Sequence, residues 1–345
     1  MKVAVVGAGI TGCLLTHLLG SASLDSKSID VSVFEKSRGC GGRASTKQTE
    51  FGQCDLGATI VPAQKTDFIA FMQDLCDQNI VSQWPKDIFV SQQNTSIHQP
   101  LEIYASDREH FVFNSKMNYA CRLWIKNANL HTNSLISQIR YLADKGWQLK
   151  SNEVWHEELF DKVVLTAPWP QSQALIEQSE LPIKLPEMSQ SWTSCWSIAL
   201  KLEQLVASEV DLVYLKNQSI QTLVRDSGKP FRPKIISAQT GDKNEIWVAQ
   251  LANKLSDDLG KPGKEKAISI ATKSLCELFN LPEKSVLNTY AHYWRFARPR
   301  PRQKPLGILS QDNGVYVAGD WSFGASIESA YEAAITLNQA ITTGV

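Results

Sequence analysis

The sequence lacks an excess of either charge: 35 Lys and Arg are matched by 35 Asp and Glu. With no net positive field and no long block of like charge, it has no means of tracking a phosphate backbone. Nucleic acid is therefore not expected as a partner. There is no C-x-x-C pair, and the 7 cysteines are an odd number. That excludes the usual spacing of a zinc site and a dense disulfide framework, and points to free thiols in a reducing, cytoplasmic compartment. Beyond residue 19 no apolar run is long enough to span a bilayer, so no membrane partner is expected. Internal repeats and low-complexity tracts are also missing. What is present is apolar mass: 43% hydrophobic residues, with 10 Trp, 8 Tyr and 12 Phe, enough for a large packed core. At 345 residues the chain exceeds the size at which one core usually stops growing, so about two domains are expected.

The opening stretch MKVAVVGAGITGCLLTHLLGSAS supports two readings. A basic Lys2, an apolar run from Val3 to Leu19 and small residues from Gly20 to Ser23 imitate a secretory leader. Alternatively, Val3 to Val6 form a buried parallel strand, Gly7, Gly9 and Gly12 make a G-x-G-x-x-G turn, and a helix begins at Ile10. A leader has no use for three closely spaced glycines, whereas a phosphate-binding turn uses each. Gly7 permits the tight turn, Gly9 lets the backbone approach a pyrophosphate, and Gly12 lets helix and strand pack closely. The helix N-terminus then presents free N–H groups to the phosphates. The nucleotide reading is the expectation.

The second strand, Ile29 to Phe34, alternates apolar and polar residues and ends at Glu35, whose carboxylate reads either as an acceptor for an adenosine ribose or as a solvated strand-end group. Glu35 lies 28 residues after Gly7, against a usual spacing of about 20. The polar stretch Gly20 to Ser28, read as a long loop, accounts for the excess. Immediately after comes KSRGCGGR, Lys36 to Arg43, a second glycine-rich and basic turn, and then DLGATI, Asp55 to Ile60. A nicotinamide site has no general need of a second phosphate-facing loop, but extended FAD does. Gly41 and Gly42 admit backbone to the pyrophosphate and Arg43 supplies a planar charged fork. Near the C-terminus, Gly314 to Ala318 reads as a short strand ending at Gly319 and Asp320, followed by helical apolar spacing over Ser326 to Ala340. Asp320 is placed to bind the ribityl or phosphate end. A helix starting near Ser326 stabilises negative charge on a reduced flavin.

Taken in order, GAGITG, VFEKSRGCGGR, DLGA, FDKVVLTAP, YWRFA and GVYVAGDWSFGASIESAYEAA resemble the renalase-like flavoproteins, a branch of the FAD-dependent amine-oxidase superfamily. The resemblance covers both ends and a central segment, and is weak over 65–125 and 170–285. It implies FAD contacts from Ile10 and Thr11, from Glu35 and Lys36, from Arg43, and from Gly57, Ala58, Thr59 and Ile60. Ile136 takes a position whose backbone meets adenine, and Ala167 and Pro168 wall the dinucleotide. Gly319 and Asp320 with Ser326, Ile327, Glu328 and Ala330 complete the set. Tyr293 stands where relatives often carry a basic residue, which leaves Trp294 and Arg295 as candidate substrate-pocket residues beside Trp192 and Trp196. Trp169 is a further candidate for that aromatic lining.

The fold expected is α/β: a Rossmann-type FAD-binding domain of the glutathione-reductase-like kind, with an α+β substrate domain on a mixed or antiparallel sheet. Residues 1–62, 126–170 and 286–345 are assigned to the flavin domain, and 63–125 with 171–285 to the substrate domain. Strands are expected at Trp192 to Leu202 and Glu245 to Ala252, and a helix at Lys264 to Phe279. Arg298, Arg300, Arg302 and Lys304 in ARPRPRQKP read as a solvated loop in preference to a site for a phosphate-bearing substrate or a proline-rich docking segment.

The resemblance implies hydride transfer from a misreduced isomer of NAD(P)H to FAD, with electrons passed to oxygen and peroxide formed. No catalytic acid or base and no metal is required, because the cofactor carries the chemistry. An amine oxidase acting on a small primary or secondary amine and a non-catalytic FAD-binding module are the alternatives.

Overall fold

The computed structural model describes all residues except 22, 25–26, 92–100, 184–191, 207, 217–218, 234–243, 301–303, 312 and 344–345. Two compact units result. The first comprises 1–42, 120–191 and 299–345, the second 43–119 and 192–298.

In the first unit a six-stranded sheet runs in the order Asn129–His131, Asp30–Phe34, Lys2–Val6, Lys162–Leu165, Val315–Val317, Leu309–Gln311. The first five strands are parallel and only the last is antiparallel. A parallel strand covered on both faces must be apolar throughout, and Val3, Ala4 and Val5 are all fully buried. The opening stretch is therefore the middle of this sheet. Helix Ile10–Ser21 returns the chain to the second strand and packs against the C-terminal helix Ile327–Thr343. The stretch read as a loop from Gly20 to Ser28 is shorter than expected. The helix continues to Ser21, and Ser23–Leu24 pairs antiparallel with Lys27–Ser28. A short helix, Asp320–Phe323, precedes the C-terminal one and carries no apolar period of its own in the sequence. A three-stranded meander, Ile136–Leu142, Gly146–Ser151 and Val154–Phe160, leads into Lys162–Leu165.

The second unit is built on a seven-stranded mixed sheet: Glu102–Ile103, Phe89–Ser91, Leu212–Leu215, Ile220–Arg225, Glu245–Leu251, Trp192–Leu202, Val286–Pro299. Alternation along its strands divides two faces. Trp196, Ile198, Leu200, Trp247, Ala249 and Leu251 pack on the helix Lys264–Phe279 through Ala267, Ala271 and Leu275, which recur every four residues on one helix stripe. The opposite face buries Ala199, Ile246 and Val248 against Cys54 and Leu56.

The packing units part from the expected domain boundaries at definite places. Residues 43–62 join the second unit because strand Gly52–Asp55 and the following Leu56 lie on its sheet. Residues 286–298 join it because Val286–Pro299 is an edge strand of that sheet. The expected boundary at 170 falls inside helix Trp169–Gln178, which is one rigid element and stays with the first unit. Among the described residues, no helix is long and apolar enough to cross a membrane.

Candidate functional site

Two glycine turns meet in the first unit. Strand Lys2–Val6 ends at Gly7, and the first helical hydrogen bond, Cys13 N–H to the Gly9 carbonyl (2.9 Å), opens the helix directly after. A Cβ on Gly12 would collide with the Gly7 carbonyl oxygen, so this helix can approach the turn only without a side chain there. Thr166, past the strand Lys162–Leu165, donates its hydroxyl to the same Gly7 oxygen at 2.9 Å and fixes the turn from the neighbouring strand. Gly9 differs: nothing lies within 4 Å of the place its Cβ would occupy. The second turn closes on this open residue. Gly41 donates its N–H to the Ala8 carbonyl at 2.7 Å, and a Cβ on Gly42 would stand 3.3 Å from Gly9 Cα.

Glu35 is buried beside both turns. Its Oε2 accepts the Ala8 N–H (2.9 Å) and its Oε1 accepts the Ser37 N–H (2.8 Å). Each carboxylate oxygen keeps a further lone pair, the acceptor a ribose hydroxyl needs. The Glu35 backbone binds His131 O and accepts Ser134 N–H, which brings the 131–136 segment with the buried Ile136 alongside. Lys36 turns outward instead, its Nζ on Gln171 Oε1 at 2.9 Å.

Ala167 and Pro168 follow the strand Lys162–Leu165 and precede helix Trp169–Gln178. Trp321 donates its indole N–H to the Ala167 carbonyl at 3.0 Å, and its ring packs 5.0 Å from that of Trp169. Trp169 is 2% exposed, and its indole N–H is buried without a hydrogen-bond acceptor. Gly319 donates its N–H to Ser322 Oγ at 3.2 Å, and Asp320 is buried in the short helix that begins there. Ser326 caps the C-terminal helix by accepting the Ser329 N–H at 3.0 Å. Ile327 and Glu328 are half-buried, and the Ala330 carbonyl accepts the Thr11 hydroxyl at 3.2 Å. Thr11 and Ala330 thus join the first and last helices of this unit through their polar atoms.

In the second unit Arg43 and the DLGA turn form one assembly. A Cβ on Gly57 would strike the Arg43 carbonyl oxygen, and Ala58 donates its N–H to that oxygen at 2.8 Å. Trp294 holds the turn through its indole N–H on Leu56 O (2.7 Å), and Gln250 through its amide on Gly57 O (2.6 Å). Thr59 is buried and Ile60 half-buried immediately beyond. The Arg43 guanidinium lies 5.5 Å from the ring centre of Trp192 and donates to Ala297 O at 3.3 Å. Lys47 Nζ lies 5.7 Å from the centre of the Trp294 ring, and the His292 ring meets the same ring edge-on, 4.4 Å between centres. Burial, and then the nearby Lys47 charge, pull the His292 imidazole down to about 4, so it is neutral at physiological pH. Arg295 is exposed, its guanidinium 5.1 Å from the Phe296 ring.

The expected aromatic lining is corrected at Trp196. Trp196 is a core residue: it packs on the helix side of the sheet against Tyr293 at 5.0 Å, with its indole N–H on Gly260 O at 2.9 Å. Its position in the strand places it on the face opposite Ala199 and the DLGA turn. Trp169 lies in the first unit, its ring tilted by 50° to that of Trp321. Of the basic tract, Arg298, Arg300 and Lys304 are exposed, while Arg302 lies outside the described residues.

Sequence reasoning missed Gln250, Lys47, His292 and a buried ion cluster beneath the DLGA turn. Apart from Asp55 of DLGA, none sits in a glycine motif, and the pairing of distant segments supplies them. Asp55 of DLGA accepts Thr46 Oγ1–H (2.5 Å) and Lys229 Nζ–H (2.7 Å), and also pairs with Arg232. Lys229 reaches Asp226 Oδ1 at 2.7 Å as well, a close ion contact without hydrogen-bond alignment. Burial alone pushes the Asp55 carboxyl up, but Lys229 and Arg232 outweigh it and hold the group at about 2. Burial raises Asp226.

Comparison with known proteins agrees with both halves of this description. Residues 5–75 match the NAD(P)-binding Rossmann-like domain family, and residues 118–342 match the flavin containing amine oxidoreductase family. A putative protoporphyrinogen oxidase from Exiguobacterium sp. 255-15 superposes with a TM-score of 0.73 at 11% identity, over 100% of this chain and 99% of that one. An oxidoreductase from Methanosarcina mazei gives 0.71 at 14% identity, over 98% and 99%. These likenesses extend over the whole chain and establish the shared architecture.

Proposed function

Because this chain belongs to the flavin containing amine oxidoreductase family, we propose that it oxidises a small, planar, reduced donor with FAD, and that the donor is a misreduced isomer of NAD(P)H. FAD is the cofactor, and when bound it takes a hydride equivalent at flavin N5 and yields the electrons to oxygen. The residues suit a dinucleotide. Gly9 leaves an open face between two turns, Glu35 has lone pairs to spare, and Trp169 offers a buried N–H that lacks an acceptor.

In this reading Gly7, Gly9, Gly12, Gly41 and Gly42 admit the pyrophosphate to backbone N–H groups, and Glu35 receives the adenosine ribose. Ile10, Thr11 and Ile136 line the adenosine side, with Lys36 at the outer edge. Arg43, Gly57, Ala58, Thr59 and Ile60 are the second unit's contributions to cofactor binding, and Ala167, Pro168, Gly319 and Asp320 are the first unit's. The helix that begins at Ile327, with Ser326, Glu328 and Ala330, faces the flavin with its positive end. The protein's own work is to bind, to orient the donor carbon and to exclude water, and no side chain is required to exchange a proton with the donor.

The observation that favours a dihydronicotinamide over an amine is the character of the second unit near the DLGA turn. Arg43 lies over the Trp192 ring and Lys47 over the Trp294 ring, which a neutral His292 also meets edge-on. Cations on aromatic faces suit a flat ring that carries phosphates and repel an ammonium. The test is anaerobic rapid mixing of the yellow holoprotein with isomeric dihydronicotinamides and with a panel of primary and secondary amines. Rapid bleaching by the isomers alone is expected. Bleaching by an amine alone assigns the chain to amine oxidation, and a flavin that no donor reduces above background marks a binding module.

A further inference from the structure

Two rows of side chains cross the second unit's sheet on the face opposite its helix, and they differ in kind. In one row Ala199, Val248, Val224 and Leu212 stand opposite one another on four neighbouring strands, and all are fully buried. One row over, two residues along each strand, the same register places Ser197, Gln250, Thr222 and Tyr214. Residues two apart on a strand share a face, so both rows lie on the side that meets Cys54 and Leu56. Packing accounts for the apolar row. It does not account for four hydrogen-bonding groups in line beside it. A buried polar group without a partner costs free energy, and the fully buried Ser197 hydroxyl has none among the described residues.

Hydrogen bonds within the polar row decide which groups remain available. The Gln250 amide nitrogen donates to Gly57 O at 2.6 Å, so the amide oxygen faces Thr222 and accepts its hydroxyl at 3.3 Å. The Thr222 oxygen has thereby committed its hydrogen and keeps only lone pairs. Tyr214 is half-buried and packs edge-on against Tyr104, 5.9 Å between ring centres. Its hydroxyl meets no hydrogen-bond partner among the described residues. Burial raises the phenol above its ordinary 10.0, which keeps it a protonated donor. The Cβ atoms of directly opposed residues lie about 5 Å apart. Tyr214 and Thr222 therefore offer one donor beside one acceptor, a single side chain away from the DLGA turn.

We propose that Tyr214 and Thr222 form a subsite for a primary carboxamide, the group that sets a nicotinamide ring apart from a simple amine. The Tyr214 O–H donates to the carboxamide oxygen, the Thr222 oxygen accepts from its N–H, and Tyr104 holds the Tyr214 ring from the side. A carboxylate in the same place would set an anion against the Thr222 lone pairs, so the subsite selects the amide over the acid. Its occupant, the ring of the donor, rests on the dihydronicotinamide reading above.

The experiment titrates the oxidised, FAD-loaded protein by calorimetry with NAD+ and with its nicotinic acid analogue, which carries a carboxylate in place of the carboxamide. NAD+ is expected to bind more tightly by about tenfold or more. Tyr214→Phe weakens NAD+ binding about tenfold and leaves that of the analogue unchanged. Thr222→Val removes the preference between the two, and Thr222→Ser, which keeps the oxygen, restores it. A merely structural role for either residue would weaken both ligands alike. Equal binding of the two by wild type, no binding of NAD+, or a Tyr214→Phe change that affects both ligands or neither overturns the proposal. Bleaching by isomeric dihydronicotinamides, measured alongside, separates the two readings. If the isomers bleach the flavin while Tyr214→Phe binds NAD+ as wild type does, the subsite falls alone. If none bleaches it while NAD+ binding depends on Tyr214, the subsite stands and the donor assignment falls.

Discussion

Gln250, in the middle of the second unit's sheet, donates its side-chain amide to the carbonyl of Gly57 at 2.6 Å, and so fixes the DLGA turn from a strand almost two hundred residues away in sequence. The other end of the same amide accepts the Thr222 hydroxyl at 3.3 Å. One side chain therefore ties two adjacent sheet strands to the turn.

Gln250→Leu leaves the Gly57 carbonyl and the Thr222 hydroxyl without this partner. A loss of about 1–3 kcal/mol in folding stability is expected, together with FAD binding weaker by about tenfold, which corresponds to 1.4 kcal/mol. Thermal melting of the apoprotein and fluorescence titration with FAD measure the two effects separately.

Gly9→Ala and Gly12→Ala part company. A methyl on Gly9 meets open space, so the apoprotein keeps its melting temperature while FAD binding falls sharply. A methyl on Gly12 meets the Gly7 carbonyl, so the fold itself suffers, by about 3 kcal/mol or more. Equal losses in the two apoprotein melts would contradict the assignment of Gly9 to the ligand face.

Asp55→Asn strands Lys229 and Arg232 as buried cations with, among the described residues, only Asp226 to balance them. A cost of about 3–5 kcal/mol is expected, read in urea melts. In the wild type the folded Asp55 value of about 2 lies below the ordinary 3.8, so its stabilising contribution is complete above pH 3.8. It fades as pH falls toward 2. Asp226, raised by burial, works in the opposite sense and blunts part of that acid loss.

His292 should titrate near pH 4 by NMR, against an ordinary value of 6.5. The neutral ring is the folded form, so stability from this group declines as pH falls below 6.5 and levels off below about 4. Lys47→Met raises the midpoint only modestly, because burial is the larger cause. A midpoint that returns to the ordinary value in this variant would assign the effect to charge instead.

Much of the first unit was legible in the chain. Val3 to Val6, Gly12, Glu35, the meander from Ile136 and the C-terminal helix all rest on local signals: apolar runs, close-packed glycines, periodic alternation. In the second unit Trp192–Leu202 and Lys264–Phe279 were equally plain. The small antiparallel pair at Ser23–Leu24 and the short helix Asp320–Phe323 were not, since two to four residues carry no periodicity. Trp196 illustrates the ambiguity of an aromatic residue, because its strand position makes it core or lining according to which face the helices cover.

By itself the sequence determined that a parallel strand runs into a glycine turn, that a carboxylate ends the next strand, and that a second glycine turn follows, because these depend on neighbours within a few residues. Only the tertiary structure decided which distant groups complete them. Gln250 reaches Gly57, Trp294 reaches Leu56, Lys229 and Arg232 reach Asp55, and Thr166 reaches Gly7. Side-chain hydrogen bonds and ion pairs act over about three ångströms in space whatever the separation along the chain, so strand order and register, not local pattern, choose the partners.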